Sequence, residues 1–374
     1  MKKTIISLAV LLVTSSANAA VIYQAEDGSF VDLYARLGFN INNKNGGGDE
    51  DTYGKFDGRI GFDARQAIND KFAIIGKTQY QVNAAEYSNN LNNVKCDGTD
   101  QITDGNNEGV DVCSKWSANS DFTARYVWTG VDLAEYGKIT GGRVTSGLIN
   151  FTDIGDIFAS SDVAMARQAN KVDPTATQVF RQDGTLQYAN TWGGLSFTTA
   201  YILGNSTSNL DYGYNATLSY AIELGEGSKL LPIVAYQNTK SDEQDGNDEY
   251  SFWGVGARYY VNDFVFGALY SEDEVSNYND TGDNSTDVEW EVTAIYNINE
   301  KWVAKMGYRD LENTGGDELR LQDTTLELQY KLTPRSSIFT DYVSRNGENG
   351  TNNATFGGTY ADQDFFHVGL RYEL

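Results

Sequence analysis

Apolar and polar residues alternate with a period of two along almost the whole chain, and that pattern limits the fold more than any motif does. Near the start, Val31, Leu33, Ala35, Leu37, Phe39 and Ile41 alternate with Asp32, Tyr34, Arg36, Gly38 and Asn40. Phe56, Gly58, Ile60, Phe62 and Ala64 then alternate with Lys55, Asp57, Arg59, Gly61, Asp63 and Arg65. The pattern returns at Phe122/Ala124/Tyr126/Trp128, at Val288/Trp290/Val292/Ala294/Tyr296, and finally at Phe366/Val368/Leu370/Tyr372/Leu374. Successive side chains on a strand point to opposite faces, so each segment is apolar on one side and polar on the other.

The spacing of the segments adds a second constraint. Short connectors fall near Asn69–Asp70, Glu135–Gly137, Trp192–Gly194, Gly225–Ser228, Asn262–Asp263, Asn299–Glu300 and Thr333–Ser336. Between them lie longer polar stretches, roughly 42–52, 88–120, 147–180, 204–211, 238–248, 271–285, 312–319 and 346–363. Seven short and eight long connections predict sixteen strands. An even number of strands, with short turns at one end and long loops at the other, describes an antiparallel transmembrane β-barrel. A soluble sandwich or propeller fits less well, because soluble strands run to about 5–6 residues. Tyr and Trp at the segment ends suit the two girdles where a barrel meets the membrane interface. A closed barrel of this size is too wide for side chains to fill, so water occupies its interior.

Composition narrows function mainly by exclusion. The 374 residues carry 28 basic and 52 acidic side chains, a net charge of −24 that repels nucleic acid. Aromatic residues make up 13%, too many for a disordered chain. One histidine and two cysteines cannot supply a four-ligand Cys/His zinc site, and no nucleophile elbow or catalytic pair stands out. His367 falls on the lumen parity and reads as a solvated wall residue rather than a ligand, and the pair Glu289 and Glu291, which share the lumen face, reads as setting the field rather than as a hydrolytic dyad. The stretch Cys96 to Asn106 lacks the ordered spacing of a calcium loop.

The N-terminus predicts export. Lys2 and Lys3 precede an apolar run from Ile5 to Val13, and Ala17–Asn18–Ala19 supplies a small-residue cleavage site. Residues 1–19 therefore read as a signal peptide and 20–374 as one barrel domain, with a net charge of −26 once Lys2 and Lys3 are removed. In an oxidising compartment, Cys96 and Cys113 are expected to form one disulfide.

Taken together, these residues resemble the Gram-negative trimeric general diffusion porins. Ala20 to Arg36 is similar to the family's first strand, Gly58–Arg59–Ile60–Gly61–Phe62 to its second, Ala124 to Val131 to its fourth, and Gly137 to Arg143 to its fifth. His367 to Leu374 resembles its terminal assembly signal, with Leu374 where phenylalanine is usual. The resemblance implies a third loop folded inward after Arg143, matched by Phe151–Thr152–Asp153–Ile154–Gly155–Asp156–Ile157–Phe158, with glycine at 155 where the family has proline. It assigns Asp153 and Asp156 to an acidic side of a pore constriction, and Arg36, Arg59, Arg125 and Arg181 to the facing basic arc. A further family arginine is Ala189 here. The resemblance also implies a homotrimer in the outer membrane, in contact with lipid and lipopolysaccharide, that passes ions and small hydrophilic solutes without a cofactor. Mild cation preference is expected from the net charge. Two alternatives remain open: a substrate-specific channel, which needs a ladder of aromatics facing the lumen, and an adhesin or receptor role for the loops.

Overall fold

Among the described residues, the strands predicted from period-two alternation form a barrel of sixteen that closes on itself. The structure is a computed structural model. It describes residues 20–44, 52–82, 94–103, 109–118, 122–160, 162–204, 210–225, 227–242, 247–351 and 355–374, with backbone alone for 94–103 and 109–118. The signal-peptide segment 1–19 lies outside the described residues.

In chain order the barrel strands are β1 (Phe30–Asn42), β2 (Tyr53–Ala67), β3 (Ala73–Val82), β4 (Phe122–Asp132), β5 (Lys138–Arg143), β6 (Thr185–Trp192), β7 (Leu195–Leu203) and β8 (Leu210–Tyr220). They continue as β9 (Ser228–Ser241), β10 (Glu249–Val261), β11 (Phe264–Ser276), β12 (Ser285–Asn297), β13 (Trp302–Thr314), β14 (Arg320–Thr333), β15 (Ser336–Arg345) and β16 (Phe365–Glu373). Each strand pairs antiparallel with the next. A short segment, Ile222–Gly225, carries the line of β8 onward along β9. Strand β1 pairs with β16 from Asn42↔His367 to Arg36↔Glu373 and closes the barrel. The Leu374 N–H donates to the Ala35 carbonyl at 2.8 Å, so ending in leucine does not interrupt that closure. Closure leaves no sheet edge, the condition for a sheet to cross hydrocarbon.

The tightest turns use residues that tolerate left-handed backbone. The two-residue link between β10 and β11 puts Asn262 at φ 49°, which asparagine adopts readily. Beyond the barrel, an N-terminal strand (Ala20–Gln24) pairs with the start of β1. In the long β3–β4 connection, Val94–Thr103 and Gly109–Ala118 form a two-stranded hairpin of their own. Its register sets Cys96 opposite Trp116 and Cys113 opposite Thr99. Whether the two cysteines are bridged lies outside the described side chains.

The outer surface is the apolar face of the alternation. Leu37, Phe39, Trp253, Trp290, Met306 and Leu370 are all exposed. In a lipid bilayer such a band is favourable, whereas an arginine at mid-membrane depth on that face would cost about 2–4 kcal/mol. Most strand aromatics among the described residues share this outer face, whereas Tyr34, Tyr126 and Phe339 turn inward and line the lumen cavity.

Candidate functional site

The loop between β5 and β6, residues 144–184, turns into the barrel and packs against one side of its interior. A short helix, α1 (Leu148–Thr152), leads it inward. Leu148, Phe151 and Ile154 are completely buried, in a cluster with Ile233, Ala235, Phe252 and Leu269 of the wall. Burying each such side chain contributes about 1.5–3 kcal/mol, which holds the loop inside the lumen rather than above it. The wall strands make room by giving up side chains where the loop enters. A β-carbon at Gly254 would strike the Phe151 ring, one at Gly256 would lie 2.7 Å from Ile154 Cδ1, and one at Gly307 would lie 2.9 Å from the Phe158 ring. Gly155 itself sits against the Glu291 carboxylate and the Met165 tip, which would both have to shift for a β-carbon here. Polar groups complete the seam. Thr293 donates to the Ile154 carbonyl at 2.9 Å, Arg309 donates to that of Asp162 at 2.8 Å, and Arg258 donates to that of Asp153.

Opposite this seam a polar cavity of about 1110 Å³ remains, bounded by the loop, by β1–β4 and by β16. All six residues expected at the constriction line it: Asp153 and Asp156 on the loop, Arg36, Arg59 and Arg125 on the wall, and Arg181 just before β6. Arg36 pairs with Glu373 and lies 3.4 Å from Asp57. Arg59 Nε lies 3.5 Å from Asp57 and donates to Gln81 at 3.3 Å. Arg125 Nε donates to Gln79 at 3.0 Å. The Arg181 guanidinium stands 5.7 Å from the Tyr126 ring centre and 5.3 Å from that of Phe180. Burial lowers the Arg181 pKa to about 10, with Arg59 and Arg143 adding to the push, so it stays charged at neutral pH. Burial pushes the Asp153 carboxyl up to about 6 against the opposing pull of Arg258. Asp156 opens to lumen water but is surrounded by protein a little farther out, and that burial raises it as well, against Arg59.

Sequence reading missed part of the lining. Arg371, Lys77, Lys55, Lys44 and Lys305 also face this cavity, so nine basic side chains meet five acidic ones among the described lining residues. Arg371 lies four residues after His367 on the same parity, so the alternation alone could have identified it. Two readings are corrected. His367 is buried rather than solvated, with Nδ1 2.6 Å from Asp341. Glu289 and Glu291 are 1% and 5% exposed and lie beneath the loop, not along the water. Among the described residues, no three His, Cys, Asp or Glu side chains are grouped so as to hold a metal ion.

Comparison with known proteins agrees with this geometry. A family profile described as Gram-negative porin matches residues 7–350. Outer membrane protein F of Serratia marcescens is 25% identical over the full length of both chains. Outer membrane porin F of Salmonella typhimurium strain LT2 is 28% identical, covering 73% of this chain and 69% of its own. Among solved structures, Salmonella typhi OmpF in complex with daunomycin superposes with a TM-score of 0.69 at 19% identity, over 95% of this chain and all of that one. The anion-selective porin from Comamonas acidovorans superposes with a TM-score of 0.66 at 14% identity, over 92% of this chain and all of that one.

Proposed function

The chain belongs to the Gram-negative porin family and forms an outer-membrane channel, and we propose that this channel passes ions and small hydrophilic solutes down their gradients with mild, salt-dependent cation preference. The observation that carries this reading is the polar cavity with Asp153 and Asp156 on one side and Arg36, Arg59, Arg125 and Arg181 on the other. Solutes crossing it meet opposed charges, while the loop that supplies the acids narrows the passage. No cofactor or energy source enters the proposal.

Selectivity follows from two opposed contributions. The net charge of −26 without residues 1–19 draws cations to the mouth. The cavity lining, nine basic against five acidic, works the other way. Screening decides between them, since the Debye length is about 10 Å at 0.1 M salt and about 3 Å at 1 M. Distant acids act in dilute salt, and in concentrated salt only the local lining is felt. An anion-selective protein with the same fold supports treating selectivity as a property of side chains rather than of the barrel.

Three further elements belong to this reading. Residues 1–19 act as an export signal, supported by their charge, apolar run and cleavage site. The barrel assembles as a homotrimer among lipid and lipopolysaccharide, supported by its family resemblance. Cys96 and Cys113 form a cystine, supported by export to an oxidising compartment. The test is reversal potential across planar bilayers under KCl gradients at two ionic strengths. Cation preference in dilute KCl that fades toward 1 M supports the proposal; anion preference in dilute KCl refutes it.

A further inference from the structure

One stretch of the inward loop is gripped by opposite charges as well as by apolar contact. Lys305 on β13 and Glu327 on β14 face each other across the ladder, with Lys305 Nζ 2.7 Å from Glu327 Oε1. Their side chains are 12% and 0% exposed. Each also turns toward the loop. Lys305 Nζ donates to the Ile157 carbonyl at 2.7 Å, and the second carboxylate oxygen of Glu327 accepts the Ala159 N–H at 2.5 Å. Next in line, Arg371 on β16 donates to the Ala159 carbonyl at 2.5 Å. Between these anchors the Phe158 ring fills the recess over Gly307.

Carbonyl of 157, N–H of 159 and carbonyl of 159 offer an acceptor, a donor and an acceptor in turn along this bent stretch of the loop. The wall answers with donor, acceptor and donor: Lys305, Glu327 and Arg371. Fold stability alone does not call for such a pair, because replacing a buried ion pair with apolar residues of similar size is often neutral or stabilising. A matched reading of loop backbone does account for it, with a donor on β13 and an acceptor on β14 standing in this order.

We propose that Lys305, Glu327 and Arg371 form a polarity-keyed clasp that positions residues 157–159 and thereby fixes how far the loop reaches into the channel. They are positioning residues, acting through the loop backbone. The effect on conductance rests on the channel reading; the clasp itself does not.

Amide hydrogen exchange at Ala159, in the full-length folded protein, separates this from a plain structural ion pair. Two double variants are compared with wild type, each first shown to be folded by its heat-modifiable migration in detergent gels. Lys305→Met with Glu327→Leu removes both loop contacts and leaves a neutral pair. Lys305→Glu with Glu327→Lys restores an ion pair but sets an acceptor under the Ile157 carbonyl and a donor under the Ala159 N–H. The clasp predicts that both variants speed exchange at Ala159 by about tenfold or more, with the swap no better protected than the neutral pair. Wild-type protection in the swap, or unchanged exchange in the neutral pair, overturns it. If either double variant fails to fold, Glu327→Gln tests the same point. Its amide oxygen still accepts the Ala159 N–H, so protection is kept although the ion pair is gone, and loss of protection there overturns the clasp. Exchange is read without any conductance, so failure of the clasp and failure of the channel are told apart.

Discussion

The two halves of the lumen are built from the same alternation but present opposite surfaces. On β9–β11 the inward positions carry Ile233, Ala235, Phe252, Gly254 and Leu269, and the inward loop covers them. On β1–β4 and β16 the inward positions carry Arg36, Arg59, Lys77, Gln79, Arg125 and Arg371, and they line the polar cavity. The outer faces of both halves are alike, since Phe39 and Ile60 are exposed just as Trp253 and Val255 are. Lipid imposes one requirement all round the barrel, whereas the interior divides into a receptor for the loop and a wall for water. Parity tells which way a residue faces, and the chemistry of the inward set tells what it faces.

The strongest way to break that division is to spoil the receptor. Phe151 is fully buried and its ring contacts Phe252 edge-on at 5.7 Å. Phe151→Ala is expected to weaken loop docking by about 3–5 kcal/mol, a typical cost for a buried aromatic. The barrel should still fold, because its strand ladder does not pass through the loop. Single-channel conductance should rise, and liposome swelling should admit larger sugars. Unchanged conductance with intact folding would mean that Phe151 does not hold the loop in the passage.

That receptor also marks how far the sequence could be read. Strand number, lipid face and the seven tight turns were legible because hydrocarbon demands strict alternation and turns demand particular residues. The six constriction residues came from resemblance, joined by parity for Arg36, Arg59 and Arg125, and all six reach one cavity. Gly254, Gly256 and Gly307 were not legible as recesses. Glycine on the lumen parity looks neutral until the side chain that enters above it is known. Glu289 and Glu291 were misread for the same reason: their parity is inward, but the loop that buries them belongs to a segment more than a hundred residues away.

The charged half can be sharpened by single substitutions of smaller effect. Arg125 holds only Gln79 among its described side-chain hydrogen bonds, so Arg125→Ala should remove positive charge cleanly and strengthen cation preference. Asp153→Asn should weaken it. Both shifts are read as reversal potentials in dilute KCl, and a null response to both would remove the cavity from the selectivity account. A pH titration separates the acids from the bases. With the Asp153 carboxyl raised to about 6, it is ionised at pH 7 and neutral at pH 5, while Arg181 at about 10 keeps its charge throughout. Cation preference should therefore fall as pH drops through about 6, and Asp153→Asn should flatten that step. A larger preference at pH 5 than at pH 7 would reverse the sign and refute the assignment.

The smallest effect is expected outside both halves, in the hairpin of the β3–β4 connection. Its register pairs Cys96 with Trp116 and Cys113 with Thr99, so the two cysteines are not direct cross-strand partners. A disulfide needs Cα atoms about 4.4–6.8 Å apart, and bridging them asks the hairpin to shift along itself. Two magnitudes decide whether it will. A lone two-stranded hairpin is marginal in water, and polar, glycine-bearing strands specify register weakly. Closing a loop of this length contributes about 3 kcal/mol in the chain-entropy model. The cystine should win, and non-reducing peptide mapping should recover a Cys96–Cys113 bridge with no free thiol. Reduction should then loosen this hairpin alone, leaving heat-modifiable migration and conductance where they were, because none of the described lumen contacts runs through it. Both thiols alkylatable in the native protein would show that the register prevails over the bridge.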